Sequence, residues 1–298
     1  MRGGVTATQK PAWLKVRLPS HGEFFRVAEI VKAGRLHTIC QSARCPNIGE
    51  CWERRTATFL ILGDVCTRRC GFCAVTKGTP LPPDPEEPAR LAEAAASLGL
   101  AHAVITSVTR DDLPDGGAAH FAAVIAAIRA KSPGTRIEAL IPDFGGDAAA
   151  LETVLAARPD VLNHNLETTE SLYPAIRRPR ENYRRSIAVL AAAKARGALT
   201  KSGLMIGLGE TEADVLQAFA DLRRAGCDLL TVGQYLQPTA AHPPVVKYYA
   251  PEEFEALAAA ARRAGFREVV SGPLVRSSYE AGRLYEVVRR KDEGTCAT

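Results

Sequence analysis

Short apolar runs alternate with longer amphipathic segments along most of this 298-residue chain. Nearly continuous apolar runs are typical of strands in a sheet that is covered on its outer face. The runs predict seven strands, at residues 59–63, 103–108, 136–141, 161–165, 201–206, 229–235 and 268–272. The amphipathic segments predict helices at residues 23–36, 87–98, 118–131, 147–157, 181–196, 211–225 and 251–264.

This alternation of strands and helices predicts parallel βα units. Six units and a final strand are too few for a closed barrel of eight units. We therefore expect an α/β fold, a partial (β/α)6 TIM-like barrel that is open on one side. The pattern alone also allows a doubly wound sheet. The expected regions are an N-terminal extension at residues 1–58, the barrel at 59–272 and a C-terminal tail at 273–298.

Six of the eight cysteines lie in two groups of three between residues 38 and 74. The first cysteine group is Cys40, Cys45 and Cys51, the second is Cys66, Cys70 and Cys73, and loops are predicted for both. Soft thiolates that converge on one point select zinc, copper(I) or an iron–sulfur cluster. Three ligands leave one iron of a four-iron cluster open, whereas structural zinc is held by four ligands. We expect two clusters, each with a vacancy; zinc bound by the first group and His37 is the alternative.

Composition and charge add expectations about compartment and partners. No apolar run approaches the roughly 18 residues of a membrane span, and the first ten residues lack the apolar core of a signal peptide. We expect a soluble protein in the reducing cytoplasm, without a disulfide framework. Residues 1–58 carry ten Lys and Arg against four Asp and Glu. This excess predicts an acidic protein or nucleic-acid partner, or else an ordinary solvated surface.

Several motifs resemble a known enzyme family. The second cysteine group, spaced C-x3-C-x2-C with Phe72 before its last cysteine, is similar to the cluster loop of the radical S-adenosylmethionine superfamily. Within that superfamily, CQSARCPNIGECW (40–52), VTRDDLPDGG (108–117) and RSSY (276–279) resemble the lipoyl synthase family. The similarity extends from about residue 11 to residue 285, and the combination is far more specific than the cysteine loop alone.

The resemblance implies two 4Fe–4S clusters and S-adenosyl-L-methionine as cofactors. The open iron of the cluster on the second cysteine group would chelate S-adenosylmethionine, so that one electron releases a 5′-deoxyadenosyl radical. The first cysteine group would hold an auxiliary cluster with Ser278 as its fourth ligand, or Ser277 as the alternative. The implied activity is that of a sulfurtransferase. It inserts two sulfur atoms at carbons six and eight of a protein-bound octanoyl-lysine, and the auxiliary cluster is the sulfur donor.

Polar residues near the predicted strand ends are candidates for binding S-adenosylmethionine, because catalytic groups of βα barrels follow the strands. Together with the resemblance they indicate Thr106, Ser107, Asn165, Glu167, Arg178, Lys201 and Gly207. Arg178 and Lys201 are candidates for the methionine carboxylate. Glu167 is a candidate for the ammonium or the ribose, or for an ion pair with Arg177 or Arg178. Gly207 lies in GLMIGLGE (203–210), which by itself equally indicates a tight turn.

Substrate or tail positioning is expected for Arg276, Tyr279, Arg110 and Asp111. The aspartates of DDLPDGG (111–117) have no mechanism that the pattern reveals beyond a turn.

The resemblance also implies partners. The substrates would be octanoylated lipoyl carrier domains, those of 2-oxoacid dehydrogenase acyltransferase subunits and the glycine cleavage H protein. The reductant would be a protein such as ferredoxin or flavodoxin. We expect a monomer, with no membrane or nucleic-acid partner. Competing interpretations are a methylthiotransferase or biotin-synthase-like enzyme, which RSSY and the first cysteine group disfavour, and a zinc-stabilised nucleic-acid-binding protein.

Overall fold

The central sheet contains seven parallel strands in a computed structural model that describes residues 10–16, 19 and 22–295. In sheet order the strands are β1 (His37–Thr38), β2 (Thr58–Ile61), β5 (His102–Ser107), β6 (Arg136–Leu140), β7 (Val161–Asn163), β8 (Thr200–Ile206), β9 (Leu229–Gln234) and β10 (Glu268–Gly272). Only β1 runs antiparallel to its neighbour among these described strands. Two short strands, β3 (Val65–Cys66) and β4 (Thr76–Lys77), pair with each other apart from this sheet.

The strand order decides between the two predicted architectures. A doubly wound sheet reverses its strand order at a switch point. Here each parallel strand pairs with the next parallel strand along the chain. In the described part of the chain, β1 and β10 occupy the two edges and are not paired with each other. The prediction of an open partial barrel with six βα units and a final strand is therefore confirmed.

Six helices cover the outer face of the barrel. They are α4 (Glu87–Leu98), α5 (Ala118–Lys131), α6 (Ala148–Ala156), α7 (Glu181–Ala195), α8 (Glu212–Arg224) and α9 (Pro251–Arg263). The bounds of these helices and of the parallel strands agree with the predictions to within two residues. None of the described helices combines the length and the apolar character that crossing a membrane requires.

The N-terminal extension contains more helix than the pattern predicts. The predicted helix is present as α1 (Gly22–Ala33), but α2 (Ile39–Ser42) and α3 (Ile48–Glu53) replace the expected loops. The loop prediction is therefore wrong for Cys40 on α2, for Cys51 on α3 and, in the second cysteine group, for Cys66 at the end of β3. Helices this short carry too few residues to reveal a period. Thr38 caps α2, since its Oγ1 accepts a hydrogen bond from the Gln41 N–H at 3.3 Å.

The C-terminal tail ends in a helix that the pattern does not predict, α10 (Ala281–Thr295). Leu284 and Val288, one turn apart, pack into the apolar cluster formed with β7, β9 and β10, and Ala281 at the start of the helix is also buried. Two apolar positions four residues apart in a charged segment are a weak indication of a helix. The Tyr285 ring lies 5.9 Å from the His102 ring at the start of β5, so α10 covers the amino ends of the strands.

Candidate active site

A cavity of about 500 Å³ opens at the carboxyl ends of the parallel strands. Residues from successive strand ends converge there in a βα barrel. The strand-end residues in its wall include Thr106, Ser107, Asn165, Glu167, Met205 and Gln234. Cys45 of the first cysteine group and all three residues of the second also line it. The two cysteine groups therefore face one shared space.

Two contacts to its backbone hold the loop that carries the second cysteine group. The Gly71 N–H donates to the Ile176 carbonyl oxygen at 2.7 Å, and His242 Nε2 lies 3.1 Å from the carbonyl oxygen of Cys73. A side chain at position 71 would lie 3.2 Å from the Ile176 backbone, so glycine permits this approach. Burial, reinforced by the neighbouring Cys70, raises the pKa of Cys73 to about 11. The thiol is therefore protonated until a metal binds it.

The first cysteine group is also withdrawn from solvent. Cys40 is buried, and Cys45 and Cys51 are partly buried. Burial raises the pKa of Cys51 to about 12, and the neighbouring Cys40 and Cys45 act in the same direction. Three thiols that influence one another's ionisation lie close together. Such a soft donor set suits an iron–sulfur cluster.

The C-terminal segment 274–279 makes two hydrogen bonds with residues that lie between Cys45 and Cys51 of the first cysteine group. Asn47 Nδ2 donates to the Leu274 carbonyl oxygen at 2.6 Å. The Tyr279 hydroxyl donates to Glu50 Oε1 at 3.1 Å. These contacts bring the RSSY motif to α3, more than 200 positions away in sequence.

Within the same segment, Arg276 and Ser277 line the cavity, and Ser278 does not. The Arg276 guanidinium is close enough to Cys45 to lower the pKa of that thiol, against the larger effect of burial, which raises it. A side chain at Gly233 on β9 would collide with the backbone of the segment. The segment is therefore pressed against the barrel beside the first cysteine group.

Glu167 has an uncommon backbone conformation for a residue with a side chain, with φ of +71°. Its N–H donates to the Gly203 carbonyl oxygen at 3.0 Å, and its own carbonyl oxygen accepts from the Met205 N–H at 2.7 Å. Burial raises the pKa of the Glu167 carboxyl, while Arg178 and Asn165 lower it. A strained residue held by its surroundings in a cavity wall is a candidate for ligand binding.

Four buried polar atoms of the cavity wall have no hydrogen-bond partner within the described chain. They are Arg178 Nε, Asn165 Oδ1, Ser107 Oγ and Asp143 Oδ2, the last of which lies 3.7 Å from the Arg185 guanidinium. The Arg178 guanidinium also lies over the Tyr173 ring, 5.2 Å from its centroid. An unpaired buried polar group is costly. These atoms therefore suit a polar ligand that brings both donors and acceptors.

Comparison with known proteins decides the family. The profile of the radical SAM superfamily matches residues 60–222. Lipoyl synthase of Rubrobacter xylanophilus is 54% identical over 283 residues, which cover 94% of this chain and 88% of that protein. Lipoyl synthase of Thermus thermophilus is 56% identical over 279 residues, covering 93% and 86%. This chain belongs to the lipoyl synthase family.

Solved structures agree with the fold. SuiB of Streptococcus suis, solved with S-adenosylmethionine bound, matches with a TM-score of 0.55 at 13% identity, over 84% of this chain and 61% of that chain. HydG, a maturase of the [FeFe]-hydrogenase, matches with a TM-score of 0.54 at 14% identity, over 76% and 61%. This chain spans less than two thirds of either protein. At this identity the likeness shows the fold alone.

A member of the lipoyl synthase family has two 4Fe–4S clusters and S-adenosylmethionine as cofactors, and the residues present fit them. Each cysteine group supplies three thiols, and the unpaired atoms of Arg178 and Asn165 suit the amino-acid part of S-adenosylmethionine. Among the described residues, no three His, Cys, Asp or Glu side chains converge on a single-ion position. His37, the alternative zinc ligand, has its Nδ1 3.9 Å from Asp64 Oδ2.

Two predicted contacts of S-adenosylmethionine, Lys201 and Gly207, do not line the cavity and are corrected. Lys201 is fully buried, and its Nζ donates to the two carboxylate oxygens of Glu138 at 2.9 and 3.0 Å. Its charge is already neutralised in the barrel interior. Gly207 has φ of +111°, and a side chain there would collide with Gln234. It serves a tight turn after β8, as the alternative interpretation of GLMIGLGE holds.

Arg110 and Asp111 also lie outside the cavity wall. Arg110 is buried and paired with Asp112 at 2.8 Å, so a direct substrate contact is not available to it. Arg68, which lies between Cys66 and Cys70 in the sequence and which the pattern did not single out, also lines the cavity. The only signal for it was a charged residue inside a cysteine loop.

Proposed function

We propose that this chain is a lipoyl synthase that inserts two sulfur atoms, at carbons six and eight, into a protein-bound octanoyl-lysine. The observation that carries the proposal is the shared cavity, which Cys45, Cys66, Cys70 and Cys73 line together. An octanoyl chain that enters this cavity meets both cysteine groups. A hydrogen-abstracting centre and a sulfur donor that act on one acyl chain require this arrangement.

The second cysteine group holds one cluster, and the first group with Ser278 holds the auxiliary cluster. When bound, the cofactors supply one-electron cleavage of S-adenosylmethionine and the sulfide that is inserted. The chain supplies binding, orientation and charge. Arg276 places a positive charge beside Cys45 and so stabilises a thiolate there. The harder oxygen of Ser278 suits an iron that must be released.

Arg178 binds the carboxylate of S-adenosylmethionine, and Glu167 binds its ammonium or its ribose. The Arg178 guanidinium has a free Nε and is held against Tyr173, and its planar fork matches a carboxylate. Glu167 accepts hydrogen bonds from the ammonium or the ribose hydroxyls. Asn165 and Ser107 provide further polar contacts from the neighbouring strand ends.

The apolar part of the wall suits the acyl chain. Leu140, Ile141, Leu204, Met205 and Leu236 line the cavity. Each buried CH₂ group of the octanoyl chain contributes about 0.8 kcal/mol to binding. The same side chains exclude water from the reacting carbons.

The substrate is a protein-bound octanoyl group, and we assign the carriers to lipoyl domains of 2-oxoacid dehydrogenase acyltransferase subunits and to the glycine cleavage H protein. Ferredoxin or flavodoxin serves as reductant. Arg44, Arg69 and Arg177 are exposed and form no ion pair within the described chain. Arg44 lines the cavity, and Arg69 and Arg177 flank the contact between Gly71 and Ile176. These unpaired positive charges support an acidic protein partner.

Product analysis tests the proposal. The anaerobically reconstituted chain is mixed with S-adenosylmethionine, a reductant and an octanoyl-lysine peptide, and the peptide is examined by mass spectrometry. We expect a peptide with two added sulfur atoms. Cys45→Ala should abolish it, whereas Cys227→Ala should not, because Cys227 is buried in the core among helices and strands. A parent chain that cleaves S-adenosylmethionine without sulfur transfer would contradict the proposal.

A further inference from the structure

Apart from Thr109, the turn between β5 and α5, residues 109–117, lies outside the cavity wall, yet most of its residues have a specific contact. Asp115 accepts hydrogen bonds from the N–H groups of Gly117 at 2.9 Å and Ala119 at 2.7 Å, which fixes the start of α5. Gly116 and Gly117 have φ of +60° and +93°, which favours glycine at both. The turn is therefore rigid and can support a neighbour.

That neighbour is the loop that carries the second cysteine group, and the first contact is at its start. An Arg110 guanidinium nitrogen donates to the Leu62 carbonyl oxygen at 3.3 Å, and Asp112 orients that guanidinium through bonds of 2.8 and 2.9 Å. A side chain at Gly117 would lie 2.3 Å from Leu62 Cδ1, so glycine allows the two segments to touch. Glu87 Oε2 also accepts a hydrogen bond from the Leu62 N–H at 2.9 Å.

The second contact is made by Thr67 and Arg68, which lie between Cys66 and Cys70 in the loop. The N–H and the Oγ1 of Thr67 both donate to the Thr109 carbonyl oxygen, at 3.1 and 2.9 Å. Arg68 Nε and a terminal nitrogen donate to the two carboxylate oxygens of Asp111, both at 2.8 Å. Asp143, whose side chain is fully buried at the end of β6, lies 2.7 Å from the same guanidinium. Arg68 is therefore fixed by two carboxylates from two different strand ends.

We propose that residues 109–117 are the scaffold that sets the conformation of the second cysteine group's loop, with Arg68 as the positioning residue. Bidentate pairing fixes a guanidinium in direction as well as in place. Because Arg68 lies between Cys66 and Cys70, its fixation determines how those two thiols face the cavity. The geometry of the loop stands on these contacts alone; only its consequence for S-adenosylmethionine binding rests on the proposed function.

The adjacent Arg69 offers a matched control. It lies in the same loop and carries the same charge, but it is exposed and forms no ion pair within the described residues. Arg68→Ala and Arg69→Ala therefore each replace one arginine of the loop by alanine and lower the net charge of the loop by one. Arg68→Lys keeps the charge of the positioning residue and removes its planar fork.

Hydrogen exchange of the cluster-free chain is the direct test. In Arg68→Ala we expect the protected amides of Thr67 and Gly71 to exchange at least about tenfold faster, the factor expected from losing a charge-assisted pair. Amides of α5 and β8 should keep the parental rates. Arg68→Lys should lie between parent and Arg68→Ala, and Arg69→Ala should match the parent. Parental exchange in Arg68→Ala, or equal acceleration in Arg69→Ala, would overturn the proposal.

Asp111→Asn covers the case in which Arg68→Ala loosens the whole fold and exchange rises everywhere. It leaves Asp143 to hold Arg68 and removes only the charge on the turn. Acceleration confined to residues 63–74 supports the scaffold, and any other pattern contradicts it. After reconstitution, Arg68→Ala should bind S-adenosylmethionine more weakly than Arg69→Ala at equal iron content. Equal dissociation constants would show that the loop geometry does not affect the cofactor site.

Discussion

Asn165 Nδ2 donates a hydrogen bond to Ser277 Oγ at 3.3 Å, joining two residues that are 112 positions apart. Asn165 follows β7 in the barrel, and Ser277 belongs to the C-terminal segment, which contacts the residues between Cys45 and Cys51. Both line the cavity. The tail is thus part of the wall of the cavity that both cysteine groups face, and it joins the barrel to the N-terminal extension.

The neighbouring serine provides the first prediction. We expect Ser278→Ala to cleave S-adenosylmethionine at close to the parental rate but to fail to complete the product, because the auxiliary cluster loses its fourth ligand. Chromatography of 5′-deoxyadenosine and mass spectrometry of the peptide measure the two steps separately. Ser277→Ala tests the alternative ligand, and we expect it to complete the product, because it removes the contact with Asn165 and leaves Ser278 in place. Full product formation by Ser278→Ala would exclude that serine as a ligand.

Arg178 provides the second prediction. Arg178→Lys keeps a positive charge but loses the planar fork, so the dissociation constant for S-adenosylmethionine should rise about tenfold or more. Anaerobic calorimetry on the reconstituted chain measures it. Arg177→Lys, at the exposed neighbouring position, should leave the constant unchanged. The carboxylate assignment fails if both variants bind S-adenosylmethionine like the parent.

His164 predicts a pH dependence of stability. Its Nδ1–H donates to the Ile141 carbonyl oxygen at 2.8 Å, and its Nε2 accepts from the Ser186 hydroxyl at 2.9 Å. Burial lowers the pKa of His164 to about 4, whereas the unfolded chain takes up this proton near pH 6.5. The free energy of unfolding should therefore fall as the pH decreases from about 6.5 to about 4, by up to about 1.4 kcal/mol per pH unit.

Urea unfolding of the cluster-free chain at several pH values measures this dependence. His164→Gln removes the titrating group, so its stability should change less between pH 7 and pH 5 than that of the parent. An identical pH dependence in the two chains would mean that His164 is not held neutral by the fold.

Gly203 predicts a local packing defect. A side chain there would lie 2.6 Å from Asn165 Oδ1 and 3.0 Å from Thr231 Oγ1. Gly203→Ala should therefore lower the free energy of unfolding by about 1–3 kcal/mol and displace Asn165 from the cavity wall. Thermal unfolding measures the loss. Gly134→Ala is the control, because a side chain at that position meets no atom within 4 Å. Equal melting temperatures for the two variants would contradict the packing described here.

Local signals account for what the sequence predicted well. Apolar runs and helical periodicity marked the strands and helices, and the number of βα units indicated an open barrel. The two cysteine groups were evident from their spacing alone. These features depend on residues that are neighbours in the chain, and for that reason a single sequence reveals them.

Long-range pairing accounts for what was wrong or missed. Lys201 was predicted to bind S-adenosylmethionine because it lies at a strand end. Its partner is instead Glu138, which is 63 positions away in the sequence. Arg68 and Asp111, 43 positions apart, gave no sign of their pairing. The direction of a side chain at a strand end depends on the register of the whole sheet, which the pattern of one strand does not determine.

Iron and acid-labile sulfide, counted before and after a single turnover, test the central claim that each cysteine group holds its own cluster and that one cluster is consumed. The anaerobically reconstituted chain should contain about eight irons and eight sulfides, the sum of two 4Fe–4S clusters. Sulfide should fall as the thiolated peptide appears, and Cys40→Ala should contain about half the iron and form no product. A parent chain with a single cluster, or sulfide that is unchanged when thiolated product has formed, would contradict the account.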